Sequence, residues 1–203
     1  MISASEIQRN IILASILEPI PNKPGCTTRL VDSSEKAKLE YFLIAGVNIG
    51  QDFYRLAERI EKNEGRQPTV IFDIAHDAQV HSYQNRQGGK VNFGIIELLV
   101  PIVVAQLVYG VSGIQALEKT QEVLKNTSQE DVHQHYLFRQ IAKSRSTNNN
   151  AHFLDVKNIY EYFIHADKSQ VTDQVWHPDY IGGMQYAQIA YTMIIQDGYS
   201  DIL

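Results

Sequence analysis

Gly88-Gly89-Lys90-Val91-Asn92-Phe93-Gly94-Ile95-Ile96-Glu97-Leu98-Leu99-Val100-Pro101-Ile102-Val103-Val104-Ala105 runs from a polar glycine loop straight into the longest apolar segment of the chain. The stretch predicts a helix over Phe93 to Tyr109 that is packed on all sides, because only Glu97 and Gln106 break its apolar surface. Asn92 stands at the N-cap, where its side chain can accept a first-turn amide, and Gly88 and Gly89 let the backbone come close to a partner. A helix N-terminus offers unpaired amides and the positive end of a macrodipole, so Gly89, Lys90, Asn92 and Gly94 form a candidate anion site. The same residues also fit a plain glycine turn into a core helix, since they match neither a Walker loop nor a dinucleotide fingerprint.

On either side, helical spacing continues. Upstream, Thr69 to Tyr83 puts Val70, Ile71, Ile74, Ala75 and Ala78 on one face, with Asp73, His76 and Asp77 beside or opposite them. Before it, a single helix is expected from a cap at Ser33 or Ser34 through Leu39, Phe42, Ala45, Ile49, Phe53 and Ile60, with Gly46 and Gly50 spaced to let another backbone approach. The first helix, Ser5 to Leu17, stops where Pro19, Pro21 and Pro24 forbid continuation. Downstream, Ile114 to Asn126 and a helix capped by Thr127-Ser128 follow, then the asparagine-rich Ser144 to Asn150 and two further helices at Leu154 to His165 and Met184 to Gln196. No segment alternates as a strand does and no linker divides the chain. The expected fold is therefore all-α, a single-domain multi-helix bundle around the central helix.

A chain of 203 residues can bury a substantial core. Its 18 basic and 23 acidic residues give a net charge of -5, which supplies no global attraction for nucleic acid or a membrane surface. Any anion site must be local. A lone Cys26 fits a reducing compartment, and no leader pattern opens the sequence, so a cytoplasmic protein is expected. Phe93 to Tyr109 is barely long enough for a membrane span and is interrupted by Glu97, Pro101 and Gln106, which favours a buried helix.

Two groups of residues carry chemistry. In Pro21 to Asp32, Lys23 and Arg29 can clamp phosphate oxygens, and Asp32 can orient Arg29 or help hold a metal; a solvated charged turn is the alternative. On the segment before the glycine loop, Asp73 and Asp77 lie one helical turn apart with His76 adjacent, placed to share a divalent cation or to supply a general base, or else simply to form a solvated face.

Taken together, Lys23-Pro24-Gly25 with Arg29 and Asp32, then Ala45 and Gly50, then the glycine loop with Asn92, Gly94 and the run reaching Pro101 resemble the triphosphoribosyl-dephospho-CoA synthase family. The likeness spans roughly Ile7 to Lys143 and is closest to the shorter archaeal-type members. It implies an all-helical enzyme that moves the triphosphoribosyl group of ATP to a ribose hydroxyl of dephospho-CoA, with release of adenine. Some relatives are associated instead with pterin-cofactor biosynthesis. The chain departs from the family loop, Asn-Thr-(His or Asn)-(Lys or Leu)-Gly, at Lys90 and Val91, which leaves a non-catalytic nucleotide-binding protein as an alternative. The resemblance implies Lys23, Gly25, Arg29, Gly89, Lys90, Asn92 and Gly94 as substrate-binding residues. The carboxylates available for catalysis are Asp32, Asp73 and Asp77, and Mg²⁺, inferred with ATP, would fall to Asp73 and Asp77. ATP and dephospho-CoA, or another phosphorylated small molecule, are the expected partners, and a homo-oligomer stays open.

Overall fold

The computed structural model describes residues 2–21, 25–141 and 156–162, and in these the apolar periodicity becomes seven helices with no strand. They are α1 (Ala4–Leu17), α2 (Leu39–Asn48), α3 (Gly50–Lys62), α4 (Phe72–Ser82), α5 (Phe93–Tyr109), α6 (Gly113–Lys125) and α7 (Gln129–Ile141). The all-α expectation holds. The segment Ser144 to Asn150 and the helix expected at Met184 to Gln196 lie outside the described residues; of the one expected at Leu154 to His165, a helical turn at 159–162 is described.

Helix α1 opens on a capping box: the Ser3 side chain accepts from the Glu6 amide while the Glu6 carboxylate accepts from the Ser3 amide. It buries Ile7 and Ile11 and lies against α2 and α3 through two glycines. A Cβ on Gly50 would sit 2.6 Å from the Ile12 side chain, and one on Gly46 would sit 3.0 Å from Ser15 and Ile16. The close approach expected of this pair is real, and its partner is α1. Gly50→Val should cost about 1 to 3 kcal/mol by forcing α1 outward, a loss read directly from denaturant melts. The single helix expected over Ser34 to Ile60 is instead two, breaking at Ile49, and it starts only at Leu39. Neither Ser33 nor Ser34 caps it; the amide of Leu39 is taken at 2.8 Å by Oδ1 of Asp32.

Helices α3 and α4 run antiparallel and are joined across their faces by ionic rungs. Arg59 grips Asp73 through both guanidinium nitrogens at 2.8 and 2.7 Å, Arg55 reaches Asp77 at 3.2 Å, and His81 meets the buried Asp52 at 2.8 Å. Burial pushes the Asp52 carboxyl up, against the opposing pull of His81 and Arg55. Helix α4 begins at Phe72 rather than Thr69 because a distant side chain ends its first turn: Asp131 on α7 accepts the amides of Ile71 and Phe72 at 2.7 and 2.8 Å. The other oxygen of Asp131 accepts the Ser128 amide at 3.1 Å, so one buried carboxylate serves two helix N-termini.

The core gathers Phe53, Leu56 and Ile60 of α3, Phe72, Ile74 and Ala78 of α4, Ile96, Val100, Val103 and Val104 of α5, and Phe138 of α7. Helix α5 has the bounds expected, yet it is not packed on all sides. Ile95, Leu98, Leu99 and Ile102 are only partly buried, so the face through Ile96, Val100 and Val104 carries the contacts. Among the described residues no single helix is long and apolar enough to cross a membrane.

Candidate functional site

The chain between α4 and α5 is pressed onto the segment that leads into α2. The amide of Gly89 donates to the Lys36 carbonyl at 2.7 Å, and Nδ2 of Asn92 donates to the Phe42 carbonyl at 3.3 Å. Gly88 has φ +94°, and a Cβ there would fall 2.5 Å from the Tyr41 ring, so glycine is required both by conformation and by space. The second loop has its own internal ties. Thr27 Oγ1 bonds the amide and hydroxyl of Ser33 and donates to the Ala37 carbonyl, and Thr28 Oγ1 accepts the amides of Leu30 and Val31. The glycine loop thus meets the segment from Lys36 to Phe42, to which the second loop is tied by the Thr27–Ala37 and Asp32–Leu39 hydrogen bonds.

Asn92 holds the N-cap position of α5 in an unexpected way. It is left-handed, with φ 58°, rather than in the extended conformation of a capping residue; its side chain makes no cap hydrogen bond, and its Nδ2 donates to Phe42. Its carbonyl accepts the Ile96 amide at 2.9 Å, which leaves the amides of Phe93, Gly94 and Ile95 at the first turn without a side-chain cap. Gly94 is exposed, and a Cβ on it would meet nothing within 4 Å. The surface is therefore open at Gly94, in the first turn of α5. Lys90 Nζ stands 4.9 Å from the Phe93 ring centre, beside that turn.

The sequence-derived residues separate under this geometry. Gly89, Lys90, Asn92 and Gly94 share the junction. Gly25 and Arg29 lie on the second loop, with Arg29 exposed at the tip of the Thr28 turn and making no hydrogen bond or ion pair with the described residues. Lys23 lies outside the described residues. Asp32 is exposed, and one of its oxygens caps α2; it does not orient Arg29. The repulsion that suggested a shared cation between Asp73 and Asp77 is relieved by Arg59 and Arg55 instead, and His76 Nδ1 lies 3.2 Å from Asp77. Among the described residues no group of three or more His, Cys, Asp or Glu side chains is arranged to hold a metal.

Two features escaped sequence reasoning. Beneath the first turn of α5, Glu97 is 7 % exposed and meets Nε2 of His135 at 2.6 Å and the guanidinium of Arg139 at 3.0 Å. Burial alone would raise this carboxyl, but Arg139 and His135 outweigh it and hold it at about 2. Phe93 stacks on Phe138 at 4.5 Å, and Arg139 lies 5.9 Å from the Phe93 ring, so the first turn of α5 rests on this ionic cluster. The only signal was an acidic residue in an apolar helix. The second feature is Arg86, inside the glycine loop, which no motif marks.

Fold and junction together define an all-α protein in which an uncapped helix N-terminus with Lys90 beside it packs on the segment leading into α2, an arrangement suited to a phosphate-bearing ligand. The chain belongs to the ATP:dephospho-CoA triphosphoribosyl transferase family, whose model matches residues 4–173. That match takes in both loops, the ionic ladder and the central helix. Comparison with curated proteins and with solved structures returned no match.

Proposed function

We propose that the protein transfers the triphosphoribosyl group of ATP to a ribose hydroxyl of dephospho-CoA and releases adenine. The observation that carries this reading is the uncapped first turn of α5, which follows a left-handed Asn92 and lies within the family match. In the proposed step the bond from the anomeric carbon to adenine breaks and one to the acceptor oxygen forms, while the hydroxyl proton passes to a base and from there, through solvent, to the departing adenine. The amides of Phe93 to Ile95, Lys90 and Arg29 hold the triphosphate, since charge-assisted donors at a helix start suit an anion that net charge -5 repels at long range. Asp32 is the base, because Asp73 and Asp77 are already committed to arginines while Asp32 contacts only a backbone amide. Asp73 and Asp77, the carboxylates expected to hold Mg²⁺, are paired with Arg59 and Arg55, so Mg²⁺ is taken to enter with the nucleotide substrate, and the site works in the cytoplasm.

Incubation with ATP and dephospho-CoA should release free adenine and yield a product heavier by the triphosphoribosyl group, seen by mass spectrometry. In titration calorimetry with ATP and Mg²⁺, Arg29→Ala should bind roughly tenfold more weakly while its melting temperature without ligand stays unchanged, since one charge-assisted contact is lost from an exposed side chain. Adenine release absent at every acceptor tested, with ATP still bound, would point to the nucleotide-binding alternative.

A further inference from the structure

The loop that opens α5 is wound around a single guanidinium. Arg86 Nε donates to the Ser82 carbonyl at the end of α4, and Nη1 donates to the carbonyls of Gln87 at 3.1 Å and Gly89 at 2.9 Å. The group lies 4.8 Å from the centre of the Tyr83 ring, and its Nη2 is buried with no hydrogen-bond partner. A solvated surface arginine would not be held this way, because burying an unsatisfied cationic donor is costly unless the other contacts offset it. What those contacts fix is the direction of peptide groups. Gly88 and Gly89 have no Cβ, so their peptide planes can turn over at little steric cost, and a turned plane would present a carbonyl where an anion expects an amide. Arg86 draws three carbonyl oxygens onto itself. The Gly89 amide faces the Lys36 carbonyl while the Gln87 and Gly89 carbonyls are turned toward Arg86.

We propose, on the basis of the nucleotide role above, that Arg86 is a positioning residue for the transfer: it touches no substrate and sets the peptide orientation of the loop that receives the triphosphate. Lysine cannot substitute, because a single ammonium does not present the planar fork that reaches three carbonyls at once. Two measurements on Arg86→Lys and Arg86→Gln test this. The first is affinity for ATP with Mg²⁺, expected to fall at least about tenfold in both variants. The second is amide exchange without ligand, expected to quicken at Gly89 while Ile96, bonded to the Asn92 carbonyl inside the helix, exchanges as in the wild type. Wild-type affinity in Arg86→Lys would show that charge alone matters and would overturn the proposal. Faster exchange at Gly89 and Ile96 alike would make Arg86 a merely structural residue. If the wild type itself binds no ATP, the nucleotide reading fails and the role of Arg86 toward that ligand falls with it, whereas normal wild-type binding with unchanged variants refutes Arg86 alone.

Discussion

Replacing Arg139 by methionine is expected to lower the unfolding free energy by about 3 to 5 kcal/mol, the range for removing one partner of a buried ion pair. The size follows from what remains: Glu97, 7 % exposed, keeps a carboxylate in the interior without the guanidinium that stood 3.0 Å away. Methionine matches much of the arginine stem, so the loss reports the charge more than a cavity. Glu97→Gln in the same background should recover a large part of it, because an amide has no charge to strand. The pH dependence gives an independent reading. The folded carboxyl sits at about 2 against an ordinary 4.5, so it is depressed. A depressed acid contributes stability that is fully present above about pH 4.5 and is lost as pH falls toward 2, and that gap corresponds to about 3 kcal/mol. Denaturant midpoints followed from pH 5 to pH 2 should therefore fall more steeply for wild type than for Glu97→Gln. Parallel slopes, or an Arg139→Met loss below about 1 kcal/mol, would mean that Glu97 is neutral or hydrated in the folded protein.

Local chemistry was legible and long-range chemistry was not. Helix α5 could be placed from its apolar run, and the glycine pair of α2 and α3 from its short spacing, because the residues that decide them are neighbours in the chain. The late start of α4 could not, since the group that stops it, Asp131, lies on α7, 59 residues from Phe72. Asp73 and Asp77 carry the same lesson. Their i, i+4 spacing correctly put them on one face, but spacing within a helix says nothing of Arg55 and Arg59 on the helix opposite. At the site, Asn92 was recognisable as a cap residue by type, while its left-handed backbone and its bond to Phe42 depend on how the second loop folds around Thr27. Arg86 was invisible for a related reason. Its partners are backbone carbonyls, which any sequence supplies.

The largest loss of activity is expected from Asp32→Asn, a fall in kcat of about 10²- to 10⁴-fold, the usual contribution of a positioned general base. The substitution isolates the base from the scaffold. Oδ1 of Asp32 accepts the Leu39 amide at 2.8 Å, and an asparagine carbonyl accepts it equally well at a helix start, so α2 stays capped and the melting temperature should hold. Asp32→Ala removes the proposed base and the cap together and should cost about 1 kcal/mol of stability besides, which separates the two roles. The competing carboxylates serve as controls with the opposite signature. Asp73→Asn breaks the two-bonded contact with Arg59, and Asp77→Asn weakens that with Arg55, so these variants should loosen the α3–α4 ladder while kcat stays near wild type. Adenine release under saturating ATP and dephospho-CoA, measured beside the melting curve of each variant, gives the answer in one series. If Asp32→Asn keeps kcat within roughly threefold of wild type, or if Asp77→Asn alone abolishes turnover without touching stability, the proton goes elsewhere and the base must be sought on α4.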